Sequence, residues 1–323
     1  MSLELDTNVT YYTNGELSTF SQCKRKWFLT SYRNLGPKRE KLTGALSLGT
    51  KVHAALASYY GHGKDPLEVL TDLANRDFLK IDQENDDYVA KELEKDTALA
   101  RIIVEGYLEW LEETAADAGI IIVSPEQPII ADPKMADHPN VRLLGKEDVK
   151  AERERDGARL FIDHKTCQTF ESVTKIAHMS EQFQHYHLLE LLKLVKEGLD
   201  TELRTDGMIV NMLRKVKRTA TAKPPFYKRI EIRHNLTTLS SYWRRITEKI
   251  RQIEATRARL DAGESHIDVC YPTPTDTCTW KCEFFAICPA FDDGSHAEEY
   301  LSEHYVQINP LKRYEPESIG VTN

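Results

Sequence analysis

The chain has 323 residues, enough for two ordinary domains or one elaborated one. With 41% hydrophobic and 29% charged residues it has a globular balance, which excludes wholesale disorder. No apolar stretch approaches the roughly 20 residues a membrane helix needs. The opening MSLELDTNVTYYTNG lacks the basic start and apolar run of a secretion signal. Six Cys are too few for a disulfide scaffold of this length, so a cytoplasmic protein with reduced thiols is expected.

The formal charge of −8 taken alone argues against a nucleic-acid binder, but it hides an asymmetry. Residues 211–260 hold 14 Lys/Arg against three Glu, a balance of +11 that leaves −19 for the remainder. A basic stripe on an acidic body suits local phosphate binding. It suits equally a solvated basic helix over Leu236–Leu260.

In chain order, Ser18 is a candidate cap for a short helix, SQCKRKWFLTSY, carrying Cys23, Trp27 and Phe28. A second helix is predicted from near Leu46, including Gly49, His53, Leu56 and Tyr60. Residues 66–95 read as polar helix with loops, and a stronger helix spans Thr97–Thr114. Ile120–Val123 is a β-branched strand start, and the Pro-rich stretch 132–140 is a loop. Val141–Glu154 and Arg159–His164 read as two strands of a hairpin turned at Asp156-Gly157. A helix over Ser180–Lys196, a strand over Gly207–Leu213, an edge strand over Phe226–Ile232 and the long basic helix follow. The sum is an α/β core with helical flanks.

The hairpin carries the chemistry. A two-residue turn at 156–157 sets Asp148 opposite Lys165, with Asp163 diagonal to Asp148 on the same face. Two carboxylates that close repel unless a cation neutralises them, and oxygen ligands suit Mg²⁺ or Mn²⁺. The alternative is a surface Asp–Lys ion pair, but the neighbouring apolar residues of LFID argue for burial.

On these residues the chain resembles the RecB-like branch of the PD-(D/E)XK nucleases, of the iron–sulfur exonuclease type associated with CRISPR systems and phages. LGTKVHAAL resembles that family's G-x-x-x-H helix, LLGKEDV its G-x-x-D strand, FIDHKT its D-x-K-T strand and QFQHY its Q-x-x-x-Y helix. The resemblance implies a restriction-endonuclease-like α/β core, a mixed central sheet flanked by helices. It implies three regions: a helical N-terminal region (1–118), a nuclease core (119–235), and a basic helix with an iron–sulfur segment (236–323). His53, Asp148, Asp163 and the carbonyl of His164 would hold Mg²⁺ or Mn²⁺, with Lys165, Gln182 and Tyr186 at the catalytic centre. Glu147, standing where the family has an apolar residue, would face solvent or act as an alternative ligand, and Glu126 is a further acid held in reserve. Trp27, Phe28 or Phe226 could stack on bases, although aromatic residues beside helices are more often core.

Cys278, Cys282 and Cys288 form C-x3-C-x5-C, a spacing that points to a thiolate metal site. Cys270 nearby, or Cys23 in the N-terminal helix, could complete it. The resemblance selects Cys23 and a [4Fe–4S] cluster, while zinc takes the same four thiolates. The implied function is a metal-dependent DNA exonuclease, single-strand and 5′→3′, working in the cytoplasm (the host's if phage-encoded). DNA is its expected partner, and other DNA-processing proteins are possible ones. The alternatives are a DNA-end-binding or assembly protein of the same fold with little turnover, and a thiolate-zinc regulatory protein whose D-x-K match is accidental.

Overall fold

A computed structural model describes residues 5–82, 86–198 and 205–314. In chain order it shows β1 (Thr10–Thr13), α1 (Asn14–Gln22), α2 (Lys24–Trp27), β2 (Leu35–Pro37), α3 (Ala45–His62) and α4 (Pro66–Asp82). There follow α5 (Asp87–Thr114), β3 (Ile120–Pro125), β4 (Pro128–Ala131), β5 (Val141–Lys146), β6 (Val149–Arg153) and β7 (Arg159–Cys167). Then come α6 (Glu171–Thr174), α7 (Glu181–Lys196), β8 (Thr205–Arg214), β9 (Tyr227–Ile232) and α8 (Leu236–Asp261). The chain continues through α9 (His266–Val269), α10 (Cys278–Lys281), α11 (Ala297–His304) and β10 (Tyr305–Gln307).

The described parts of residues 1–40, 130–145 and 240–323 form one compact unit, and those of 41–129 and 146–239 form another. In the first, β1 runs parallel to β5 in the sheet order β1-β5-β4, and β10 pairs antiparallel with β2. Its helix α1 is capped by Thr13, whose hydroxyl accepts from the Glu16 N–H, rather than by Ser18, which lies mid-helix. Cys23 is extended (φ −158°, ψ 112°) and breaks the predicted single helix into α1 and α2. A five-residue π-helix, Phe28–Tyr32, then continues the chain. Trp27 and Phe28 are buried, so they are core residues and no base can stack on them.

The second unit contains a five-stranded mixed sheet, β3-β6-β7-β8-β9. β7 and β8 are parallel and joined through α7, whereas the other neighbours are antiparallel. The buried cluster of α3, α4 and α5 side chains, including Val52, Leu56, Leu70, Ile103 and Tyr107, extends to Leu213 and Tyr227 of the sheet. Gly49 lets α3 approach β7 closely, since a β-carbon there would sit 3.3 Å from Thr166 Oγ1.

The structure corrects two features of the predicted hairpin. Val141–Glu154 is not one strand: it divides at Glu147-Asp148 into β5 and β6, which belong to different sheets. The turn is also wider than two residues. Gly157 (φ +66°) closes it with its N–H donating to Arg153 O, and the ladder pairs Val149 with Ile162 and Glu152 with Arg159. Continued by one residue, that register places Asp148 beside Asp163 rather than beside Lys165. A slip of two residues preserves the face of every side chain, so the acids stay together and draw closer.

Candidate active site

Each predicted core-site residue lies in the second unit, on elements that meet at the broken end of β6. His53 comes from α3, Asp148 from the break itself, Asp163, His164 and Lys165 from β7, and Gln182 and Tyr186 from α7. His53 Nδ1 lies 3.3 Å from Asp148 Oδ1. The backbone N–H of His164 donates to Asp148 Oδ2 at 2.7 Å. Lys165 Nζ donates to Asp163 Oδ1 at 2.9 Å. It stands 2.7 Å from Oδ2, which receives no directed hydrogen bond and keeps lone pairs for a cation. Gln182 Nε2 reaches both Asp163 Oδ1 and the Tyr186 hydroxyl at 3.4 Å. The sequence motifs thus converge on one patch.

The electrostatics divide the two acids. Burial works to raise the Asp148 pKa, but the charge and hydrogen bond of His53, with Lys165 nearby, outweigh it and hold the carboxyl far below its usual range. The reciprocal pull of Asp148 raises the His53 pKa against the opposing effect of burial. Asp163 moves the other way: burial, aided by repulsion from Asp148, raises its pKa despite Lys165. One acid is stably ionised and its neighbour is charge-frustrated, a pattern that a divalent cation relieves.

His164 itself is fixed from behind. Burial holds its pKa down to about 3, so the ring is neutral. The Asn211 amide faces Nδ1 at 3.3 Å and donates to the Tyr107 hydroxyl at 2.7 Å, while Arg229 Nε donates to Asn211 Oδ1 at 2.5 Å. Tyr107 pairs with Tyr60 (2.9 Å), whose hydroxyl donates to Asp117 at 2.9 Å, and Arg229 closes the circuit on Asp117 at 2.8 Å. The Tyr60 ring stacks on His164 with centroids 5.6 Å apart. Sequence reasoning missed this network, because its members are single residues on α3, α5, β8 and β9 with no shared motif.

Glu147 neither faces solvent nor joins this patch. It is 2% exposed, and burial together with Glu190 raises its pKa well above the ordinary range, against Lys150 and Lys193. Glu126 is taken by Lys146 at 2.7 Å. Several cations of the basic stripe are likewise occupied: Arg218 by Glu109, Arg251 by Asp137 and Arg257 by Glu16.

Cys23, Cys270, Cys278, Cys282 and Cys288 lie in the first unit and Cys167 on β7 in the second, all with free thiols. Cys23 Sγ accepts from the Lys26 N–H at 3.5 Å, Cys278 Sγ from the Thr275 N–H at 3.4 Å, and Arg25 Nη1 is 3.9 Å from Cys288 Sγ. Burial raises the Cys282 and Cys288 pKa values, opposed by Lys26 at the first and Arg25 at the second, and both thiols also feel the charge of Cys23. Among the described residues no set of three or more His, Cys, Asp or Glu side chains is gathered tightly enough, as placed, to grip a metal ion. At the acidic patch, Lys165 pairs with Asp163 and His53 with Asp148.

A mixed sheet with two neighbouring acids and a lysine at the broken edge of a β-ribbon defines the D…D-x-K class of nuclease sites. The sequence profile of the PD-(D/E)XK nuclease superfamily matches residues 13–289, and the chain belongs to that superfamily. Comparison with curated proteins found no match. Nucleases of this superfamily use divalent metals such as Mg²⁺ or Mn²⁺, and DNA is the substrate that membership implies.

Proposed function

We propose that the protein is a metal-dependent DNA exonuclease that degrades single strands from an end, 5′→3′. The observation that carries this reading is the convergence of Asp148, Asp163, Lys165 and His53 in one largely buried patch. Asp148, Asp163, His53 and the His164 carbonyl would hold Mg²⁺ or Mn²⁺, which supplies neutralisation of the phosphate charge and acidification of water beside the phosphorus. Oxygen-rich donors with one imidazole suit those ions.

The protein's own groups do the rest. The His164 N–H fixes the Asp148 carboxylate. The Lys165 ammonium, within reach of Asp163, orients the attacking water and balances the negative charge that builds on the phosphoryl oxygens. Gln182 ties Asp163 to Tyr186 and keeps the acid from turning away. The test is digestion of end-labelled single and double strands with Mn²⁺, Mg²⁺ or EDTA. Asp163→Ala and Lys165→Ala should abolish metal-dependent digestion and retain DNA binding. Wild-type rates in both variants would remove this catalytic centre, whereas wild-type protein that holds ends and never cuts would make it an end-binding or assembly protein.

Cys23, Cys278, Cys282 and Cys288 are proposed to hold a [4Fe–4S] cluster of structural role. Four free thiols from distant stretches of one unit, with Arg25 and Lys26 beside them, are a donor set suited to a cluster carrying net negative charge. Anaerobically purified protein should be brown, absorb near ~400 nm and contain iron and acid-labile sulfide. Colourless protein with stoichiometric zinc would assign the site to zinc instead. The proposed setting is the cytoplasm, with other DNA-processing proteins as partners at the ends.

A further inference from the structure

Six aromatic side chains are largely exposed among the described residues, and four of them fall between residues 271 and 300. Trp280 is 65% exposed, Tyr271 55% and Phe285 48%. Trp280 sits on α10, between Cys278 and Cys282, and Phe285 follows in the loop to Cys288. Exposed rings so concentrated in one segment mark a binding surface, since solitary apolar residues are the ordinary surface condition.

The charges around these rings specify the partner. Lys281 Nζ lies over the Trp280 ring, 4.6 Å from its centroid, and Lys24 Nζ lies between two rings, 5.5 Å from the centroid of Tyr271 and 5.3 Å from that of the buried Phe20. Neither lysine forms a salt bridge with a described carboxylate, so each ammonium rests on an aromatic face. Glu283, the one acid between Cys282 and Cys288, is neutralised by Lys26 at 2.8 Å. Lys26 also donates to the Lys281 carbonyl at 3.3 Å, tying the Trp280 segment to α2. Two ring-plus-ammonium couples thus lie at the α2 segment, with flat apolar faces for bases and ammonium groups for phosphates.

We propose that Trp280 and Tyr271, with Lys281 and Lys24, form a stacking platform for unpaired bases of a DNA single strand. The choice of DNA rests on the nuclease reading; the stacking chemistry does not. A base lies on the free face of Trp280, and Lys281 moves from the ring to the adjoining phosphate. Stacking on an aromatic ring is worth about 1–3 kcal/mol per base, and each phosphate contact with a single strand adds about 0.7 to the salt slope.

The test is binding of a fluorescein-labelled oligothymidine to the full chain in EDTA, read by anisotropy and by tryptophan quenching. Trp280→Ala should weaken binding about 5- to 150-fold, while Trp280→Tyr keeps most of the affinity. Lys281→Gln should lower the salt slope by about 0.7. These side chains are exposed, so an unchanged circular dichroism spectrum is expected for each variant. Wild-type affinity in Trp280→Ala, or full rescue by Trp280→Leu, would overturn the proposal and give the surface to an apolar protein partner. The two readings fail separately. A protein that never cuts with Mn²⁺ yet binds oligothymidine through Trp280 loses only the nuclease assignment. One that cuts normally while Trp280→Ala binds as wild type loses only the platform.

Discussion

Asn211→Leu tests whether the network behind His164 positions the acidic patch. Asn211 is 1% exposed and serves three partners: His164 Nδ1, the Tyr107 hydroxyl and Arg229 Nε. Leucine keeps the branched skeleton of asparagine but has no polar atoms, so the loss is chiefly one of hydrogen bonds. Tyr107 retains Tyr60, and Arg229 retains Asp117 and the Ala116 carbonyl. The His164 ring, whose Nε2 already lacks a hydrogen-bond partner, is left with none. One orphaned buried group at about 1–3 kcal/mol and two weakened ones at about 0.5–1 kcal/mol each give a loss of roughly 2–5 kcal/mol. For a unit of this size that lowers Tm by about 4–20 °C. Because the His164 N–H holds Asp148, kcat for single-strand digestion should fall about 10–100-fold, and the Mn²⁺ concentration for half-maximal rate should rise. Tyr60→Phe keeps the ring stacked on His164 and should cost less in both respects. An Asn211→Leu protein with lowered Tm but unaltered kcat and Mn²⁺ requirement would show the network to be structural only and refute the positioning argument.

Two further predictions concern the stability of the same unit. His187 is buried, its Nδ1 lies 3.3 Å from His234 Nδ1, and its pKa is pushed down to about 4 by burial and then by His234. Its stabilisation is complete above the unfolded value of ~6.5 and is lost as pH falls from there through about 4, up to roughly 3 kcal/mol in all. Urea midpoints between neutral and acid pH should therefore fall more steeply for the wild type than for His187→Gln, and parallel profiles would refute this. Gly106 lies mid-helix on α5, where a β-carbon would fall inside contact distance of Arg218 Nη1 and the Tyr227 hydroxyl. Gly106→Ala should lose about 1–3 kcal/mol by overpacking despite a helix-propensity gain of ~1 kcal/mol, measured by urea unfolding. A stabilised variant would mean that the α5–β9 contact yields easily.

The elements that sequence reading placed best are those whose periodicity and ends are local. α7 begins one residue after Ser180, and α8 spans Leu236–Asp261 against a predicted Leu236–Leu260. The hairpin failed for one local reason and one distant one. The Asp156-Gly157 pair signals a two-residue turn, yet Arg153 captures the Asp156 carboxylate at 2.9 Å and the Gly157 N–H bonds to the Arg153 carbonyl, which widens the loop. The division of Val141–Glu154 was equally invisible, since β5 is committed by its parallel pairing with β1, more than a hundred residues earlier. Face alternation survived both errors because a two-residue slip leaves it intact, and the acids were found for that reason.

Charge counting was the weakest guide, and the reason bears on where DNA would run. On α8, Arg251 is drawn to Asp137, and Arg257 is tied to Glu16 beside the buried Tyr12–Glu254 contact. The partly buried Arg257 gains little by leaving Glu16 for a phosphate, whereas Arg251 and Asp137 are both well exposed and their pair exchanges readily. The +11 of residues 211–260 therefore overstates the positive field available to a strand. The same logic applies to Glu147. A lone acid next to Asp148 reads as a spare ligand, but its buried surroundings of Glu190, Lys150 and Lys193 make it part of an internal ion network. Ions that a sequence shows as free are assigned by the tertiary structure, and the residues left for a polyanion include those, like Lys281 and Lys24, that rest on aromatic rings instead of carboxylates.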